Sequence, residues 1–194
     1  MDEARYKRFM SRIEEIESVG DKLKLLKIHF LPYLNSLRTQ NKNVEYLAVG
    51  TQVIEFILGK IVLVIEHAIN VSLLEVELES KSDVRLEIEV PLKRNGENLG
   101  NLLESISRHK LFIEIGENGK IQQEIGTLND RRKSCVHNLI TEYGGKIESA
   151  NSEISSYVST NPIEVLLERL IDLQSKVDTD RIKRQNWAKA KKGE

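Results

Sequence analysis

Cysteine, proline and aromatic residues are scarce in this sequence of 194 residues, which has one cysteine, three prolines and 5% aromatic residues. The single cysteine, Cys135, excludes an intrachain disulfide and a cysteine-based zinc site, and it fits a reducing compartment. The net charge of −1 argues neither for nor against nucleic acid as a partner. With 40% apolar and 30% charged residues, the composition indicates a folded, helix-rich protein rather than a disordered one.

The sequence also has little that would direct it to a membrane. The amino-terminal residues MDEARYKRFMSRIEE lack the apolar run of a signal peptide, so we expect a cytoplasmic protein. The most apolar segment, residues 53–74, is about as long as a membrane span, but it carries Glu55, Lys60, Glu66 and His67. Burial between other helices or in a subunit interface explains this segment more simply than a membrane span.

Apolar residues three and four positions apart predict a mainly α protein, an antiparallel helical bundle. We assign residues 1–177 to a single helical domain and residues 178–194 to a basic C-terminal tail. The tail either binds RNA, with Trp187 stacking on a base, or is a solvated terminus. The helices are predicted over residues 2–19, 21–37, 44–80, 98–106, 121–139 and 162–177.

Glycine and proline mark several predicted boundaries. Gly20 should end the first helix, and Pro32 should kink or end the second. Gly144 and Gly145 should end the helix that begins near residue 121. The polar segment 146–160 is predicted to be a connector to the last helix.

Two segments have strand-like features. Residues 83–92 alternate apolar and polar side chains, and residues 111–115, LFIEI, precede a turn signal. They predict either a small β-hairpin or an extended insert beside the helical body, and a single helical turn would also fit residues 111–115.

The segment from Ile121 to Leu139 contains the candidate functional residues. Once position 132 is counted, its apolar residues follow one another at alternating steps of four and three, which is the spacing of one helical stripe. These residues are Ile121, Ile125, Leu128, Cys135 and Leu139. Position 132 is an arginine. An arginine on this stripe is costly to bury unpaired, so it should face a carboxylate, a partner subunit or a phosphate. Cys135 lies on the same stripe and is better explained as a small core residue than as a nucleophile.

Motifs for several familiar chemistries are missing. The sequence has no phosphate-binding loop, no dinucleotide fingerprint, no zinc-protease motif and no serine-hydrolase elbow. Its four histidines lie in four separate segments without a second ligand at metal spacing, so we expect neither a metal nor a cofactor. Glu66 and His67, within the apolar helix, are better explained as hydrogen-bonded structural residues than as catalytic groups.

One short motif carries a resemblance. Arg132 and His137 form R-x4-H, and Arg131 and His137 form R-x5-H. Both resemble the R-x4-6-H signature of the HEPN superfamily, whose helical domains occur in prokaryotic toxin, abortive-infection and CRISPR-associated ribonucleases. The sequence differs from the common family pattern at Lys133, where asparagine is usual, and at Asn138, where glycine is common.

The resemblance implies a metal-independent endoribonuclease that acts as a bacterial toxin or antiviral effector. It implies Arg132 and His137 as catalytic residues, a homodimer with a composite site between subunits, and an antitoxin or nucleotidyltransferase partner. Helical geometry points to the same assembly. Residues five apart on an α-helix differ by about 140° in direction and about 7.5 Å in height, so this pair would not converge without a two-fold partner.

The residue types suit RNA cleavage. Histidine, with an unperturbed pKa of about 6.5, can take a proton from a ribose 2′-hydroxyl or give one to the leaving oxygen. Arginine can stabilise the extra negative charge of the transition state. Arg131 and Lys133 are candidates for binding the neighbouring phosphates of the RNA substrate, with Ser134 as a further hydrogen-bonding residue.

Two other interpretations remain open. The chain could be a non-catalytic HEPN-like module that binds RNA, nucleotide or a protein partner, with Arg132 held in a salt bridge. It could also be an unrelated helical bundle in which R-x4-H occurs by chance, since about 0.7 matches to so short a signature are expected in a chain of this composition.

Overall fold

The structure, a computed structural model, describes residues 13–79, 98–107, 119–137 and 139–192. Within these ranges it contains seven α-helices, one π-helical turn and no strand, so the prediction of a mainly α protein is confirmed. The predicted strand-like segments 83–92 and 111–115 lie outside the described residues. The α-helices are α1 (Ile13–Thr39), α2 (Asn43–Glu79), α3 (Leu99–Ser107), α4 (Lys120–Arg132), α5 (Leu139–Tyr143), α6 (Ile147–Thr160) and α7 (Ile163–Lys192), and the π-helical turn, Lys133–His137, lies between α4 and α5.

Helix α2 is the central element. It packs against α1, α3, α4, α6 and α7, and all its side chains from Lys60 to Ala68 are buried. Among the described helices, its segment Asn43–Asn70 is long and apolar enough to cross a membrane, but 67% of its most apolar window is buried inside the protein. That burial is typical of the core helix of a soluble protein.

The predicted helix end at Gly20 is wrong, and so is an end at Pro32, because a single helix passes through both residues. The buried side chains keep one helical phase across the glycine. Each apolar side chain that is fully buried contributes about 1.5–3 kcal/mol, whereas glycine costs a helix about 1 kcal/mol and proline about 3 kcal/mol. Packing against α2 therefore outweighs both local signals. The buried residues of α1 are Val19, Leu23, Leu26, Leu34 and Leu37.

The predicted connector over residues 146–160 is also wrong, since this segment forms helix α6. Ala150, Ile154 and Val158 are buried at steps of four and give the helix an apolar stripe one side chain wide. The preceding boundary is confirmed. Gly144 and Gly145, with φ of 57° and 76°, adopt the left-handed conformation directly after α5.

Helix α7 begins after Pro162 and continues to Lys192, so the basic residues beyond 177 extend the same helix. Its buried face lies on α2.

A polar network holds the start of α7. The hydroxyl of Tyr46 on α2 accepts a hydrogen bond from the Ile163 amide at 2.6 Å and donates one to the Glu164 carboxylate. Arg38 Nε lies 3.4 Å from that carboxylate. Burial and the hydrogen bond to Glu164 raise the pKa of Tyr46, so it stays a neutral donor.

We expect Tyr46→Phe to lower the free energy of unfolding by about 1–3 kcal/mol, because it leaves the Ile163 amide and the Glu164 carboxylate without their buried partner. Urea denaturation followed by circular dichroism measures this change. Tyr33→Phe is the control, since Tyr33 is 49% exposed and its substitution should change stability by less than about 0.5 kcal/mol. Equal effects of the two substitutions would contradict the assigned role of Tyr46.

Two glycines provide a second test of the packing. A Cβ atom at Gly50 would lie 2.5 Å from Cδ1 and 3.0 Å from Cγ2 of Ile163, whereas a Cβ atom at Gly20 would meet nothing within 4 Å. We expect Gly20→Ala to stabilise the protein by about 0.5–1 kcal/mol, because alanine favours the helix. Gly50→Ala should destabilise it by about 1–3 kcal/mol, since the stiff isoleucine must shift. Thermal unfolding of both variants checks the opposite signs.

Candidate functional site

The predicted stripe on α4 is confirmed as a packing surface. Ile121, Ile125 and Leu128 are at most 3% exposed, and Cys135 in the π-helical turn is 2% exposed. The side chain of Arg132 is 19% exposed and lies on this stripe. The arginine therefore occupies a largely desolvated position at the edge of the core.

Arg132 faces a carboxylate, one of the three partners that the sequence suggested. Its Nη1 lies 4.0 Å from Oε2 of Glu55 on α2, and the same oxygen accepts a hydrogen bond from the Leu99 amide at 3.1 Å. Glu55 therefore joins α4 to the amino terminus of α3, where a negative charge is favoured by the helix dipole. An ion pair this long and partly exposed contributes at most about 1 kcal/mol, so it orients the guanidinium more than it stabilises the fold.

Two polar atoms on this part of α4 are buried without a hydrogen-bond partner among the described residues. They are Nε of Arg132 and Oδ1 of Asn129, which lies one helical turn earlier on α4 and is 5% exposed. Neither Asn129 nor Glu55 was predicted as a site residue from the sequence. Asn129 could have been found by its position three residues before Arg132, and Glu55 by its charge within an apolar helix.

The backbone between Arg132 and His137 is not α-helical, which overturns the expected geometry. Lys133–His137 forms a π-helical turn. In a π-helix hydrogen bonds join residues five apart, so the backbone positions of Arg132 and His137 lie about one turn apart on one side of the helix. The offset of about 140°, which holds for an α-helix, does not apply here. The side chain of His137 and the whole of Asn138 lie outside the described part of the structure.

Of the other three predicted site residues, Arg131 and Ser134 contact different neighbours and Lys133 is exposed. Arg131 leaves the stripe, and its Cζ lies 5.5 Å from the ring centroid of Tyr157 on α6. Ser134 Oγ donates a long hydrogen bond of 3.5 Å to Glu142 on α5. The structure thus brings Arg132 together with Glu55 and directs Arg131 to a separate surface.

Cys135 is a core residue, as predicted. Its Sγ lies 4.0 Å from the hydroxyl of Tyr143. Burial raises the pKa of the Cys135 thiol, although the contact with Tyr143 acts in the opposite direction. A thiol with a raised pKa is protonated at neutral pH and is a poor nucleophile.

The remaining candidate residues lie in the core or outside the described part of the structure. Glu66 and His67 are 2% and 1% exposed within α2, away from any open surface. The described ranges contain no group of three histidine, cysteine or acidic side chains that could hold a metal ion. The side chain of Trp187 is not among those described.

No protein-family model, curated protein or solved structure matches this chain. The features of this chain that bear on its function are Arg132, its contact with Glu55 and the π-helical turn that leads to His137.

We expect Glu55→Ala to lower the free energy of unfolding by about 1 kcal/mol, because it removes both the acceptor at the start of α3 and the partner of Arg132. Glu168→Ala is the matched control. Glu168 forms an exposed ion pair with Lys27 at 3.8 Å, so its loss should cost less than about 0.5 kcal/mol. Chemical denaturation compares the two, and a larger loss in Glu168→Ala would contradict the role of Glu55.

Proposed function

We propose that this protein is a HEPN-like, metal-independent endoribonuclease in which Arg132 and His137 act on RNA. The observation that carries the proposal is the π-helical turn that fills the interval between these two residues. Single π-helical turns within helices are rare and occur frequently at functional sites. Here the turn supports the pairing of an arginine and a histidine that the motif suggests.

Arg132 is suited to the phosphate. The side chain is 19% exposed, and the 4.0 Å contact between Nη1 and Glu55 is longer than a hydrogen bond, so Glu55 does not take up the N–H donors of the two terminal nitrogens. A guanidinium held at the edge of a desolvated surface stabilises negative charge on a pentacoordinate phosphorus more strongly than one in water. In this scheme Glu55 is a positioning residue, since it holds the arginine and does not touch the substrate.

His137 supplies the proton transfer. A neutral imidazole can remove the proton from the ribose 2′-hydroxyl, which then attacks the adjacent phosphorus and expels the 5′-oxygen of the next nucleotide. The 5′-oxygen leaves with the proton that the imidazolium of His137 returns to it, and the products are a 2′,3′-cyclic phosphate and a 5′-hydroxyl. DNA lacks the 2′-hydroxyl and should not be cleaved.

Arg131 and Lys133 are suited to the flanking phosphates. Both are exposed and adjacent to Arg132 in the sequence. Arg131 points to a separate surface, over the ring of Tyr157 at the border of a groove of about 460 Å³ between α4, α6 and α7, where it would meet a phosphate farther along the RNA. A cation beside an aromatic ring favours a phosphate and a stacked base. Ser134 supports the site indirectly, by its hydrogen bond to α5.

The resemblance to the HEPN superfamily extends the proposal to the biological setting. The enzyme would act in the cytoplasm as a toxin or antiviral effector, in a homodimer with a composite site. An antitoxin or a nucleotidyltransferase would restrain it.

A second candidate function has an observation in its favour. Glu55 already neutralises Arg132 and accepts the Leu99 amide, as a purely structural ion pair would. The chain would then be a non-catalytic helical module that binds RNA, nucleotide or a protein partner.

Cleavage of RNA by the purified protein in EDTA separates these functions. We expect wild-type protein to cleave single-stranded RNA to 2′,3′-cyclic phosphate ends and to leave DNA of the same sequence intact. Arg132→Ala and His137→Ala should each lower the rate by about 10²–10⁴-fold. Lys176→Ala, an exposed substitution on α7, is the control and should keep full activity.

Absence of cleavage by the wild type, or cleavage that survives both site substitutions, would refute the enzyme. Binding of RNA without cleavage, with loss of binding in Arg132→Ala, would support the non-catalytic module instead.

A further inference from the structure

The groove of about 460 Å³ between α4, α6 and α7 lies where α6 ends and α7 begins. Its floor is apolar, since Leu128, Ile163 and Leu166 line it and are at most 7% exposed. Tyr157 lines it from α6, and Lys120, the first residue of α4, lines it from the opposite helix. A groove of this size and lining can hold one small ligand or part of a polymer.

The charged groups of the groove favour an anion. Its lining contains three charged residues, and two of these, Glu124 and Arg169, form an ion pair with each other. The third, Lys120, is exposed and has no ion-pair partner in the part of the chain that the structure describes. Arg131 adds a cation at the border of the groove, with its Cζ 5.5 Å from the centroid of the Tyr157 ring.

The two cations lie at opposite ends of one face of α4. Lys120, Glu124, Thr127 and Arg131 follow one another at steps of four and three, which places them on one stripe of the helix. Along the helix axis Lys120 and Arg131 are about 16 Å apart. Two cations at this separation match two phosphates of one chain better than the single phosphate of a mononucleotide.

The groove also contains groups that can hold a base. The partly exposed ring of Tyr157 offers a surface for stacking. Asn161, which also lines the groove, donates from Nδ2 to the Tyr157 carbonyl at 3.1 Å and to the Thr160 hydroxyl at 2.8 Å. Because both of these bonds use the amide nitrogen, Oδ1 of Asn161 is left as an oriented acceptor for an N–H of a base.

We propose that this groove binds a single-stranded segment of the RNA, with phosphates on Lys120 and Arg131 and a base on the Tyr157 ring. The segment would continue from the candidate site, because Arg131 is next to Arg132 on α4 and about 100° around the helix from it. Duplex RNA keeps its bases stacked on each other and does not present them to an aromatic side chain. The inference rests on the proposed action on RNA, but it does not require cleavage.

Binding of a labelled 2′-O-methyl RNA of about twelve nucleotides tests the groove, since this RNA has no free 2′-hydroxyl and is not cleaved. Fluorescence anisotropy measures the affinity. Tyr157→Leu should weaken binding by at least about fivefold, because the stacked base loses its ring. Tyr157→Phe keeps the ring and should restore the wild-type affinity. Circular dichroism checks that both variants fold.

The salt dependence of binding tests the two cations. Lys120→Gln and Arg131→Gln should each lower the slope of log affinity against log salt concentration by about 0.7, the value for one phosphate contact of a single strand. Both residues are exposed, so these substitutions test the groove even if Tyr157→Leu does not fold. Lys22→Gln is the matched control, since it removes the same charge from α1, which does not line this groove, and it should leave the slope unchanged.

Two further ligands test the class of RNA. The same oligonucleotide annealed to its complement, and AMP alone, should each bind at least about tenfold more weakly than the single strand. Equal affinity for the duplex or for AMP would overturn the single-stranded segment. Failure of the wild type to bind the oligonucleotide, or wild-type affinity in both Tyr157→Leu and Lys120→Gln, would overturn the groove as an RNA site.

The groove and the enzyme can fail separately. Binding that depends on Tyr157 and Lys120, in a protein that does not cleave unmodified RNA, would support the groove and refute the endoribonuclease. Cleavage that is lost in Arg132→Ala and His137→Ala, with RNA binding unchanged in both groove variants, would support the endoribonuclease and overturn the groove.

Discussion

The structure depends on the hydrogen-bond partners that the polar side chains of one central helix find in the helices around it. Helix α2 is surrounded by other helices, yet it carries hydrogen-bonding groups that would be costly to bury alone. Two of them meet the amino termini of neighbouring helices, where backbone amides lack intrahelical partners. Tyr46 accepts the Ile163 amide at the start of α7, and Glu55 accepts the Leu99 amide at the start of α3.

At the beginning of α2 the roles are exchanged, because a side chain of a neighbouring helix accepts a hydrogen bond from a backbone amide of α2. Asn151 on α6 accepts the Val44 amide at 2.8 Å, and Asn43 donates to the Asn151 carbonyl at 2.9 Å. These contacts fix the positions of α3, α6 and α7 along α2, which apolar packing alone leaves less defined. The candidate site depends on one of these contacts. Glu55 accepts the hydrogen bond from the first residue of α3, and the same carboxylate orients Arg132.

The sequence predicted the elements that have a strong local period. The central helix and the stripe on α4 follow from apolar spacing, and the arginine at position 132 indicated a charged or polar neighbour. Local signals failed at Gly20 and Pro32, where the buried stripe of α1 outweighed them, and in α6, whose narrow stripe resembles a polar connector. Glu55 could not be identified as the partner of Arg132, because the two residues lie 77 positions apart and only the packing of α4 on α2 joins them.

Helical period also could not reveal the π-helical turn, since it alters the backbone over five residues and leaves the apolar pattern nearly unchanged. Such a turn is equivalent to an α-helix that has taken up one additional residue. The four residues between Arg132 and His137 therefore span one helical turn, which three intervening residues span in a regular α-helix. Deletion of one residue from this turn would restore a regular α-helix and would keep the arginine and the histidine one turn apart on the same side. The number of residues between them can therefore change in evolution while their relative position stays the same.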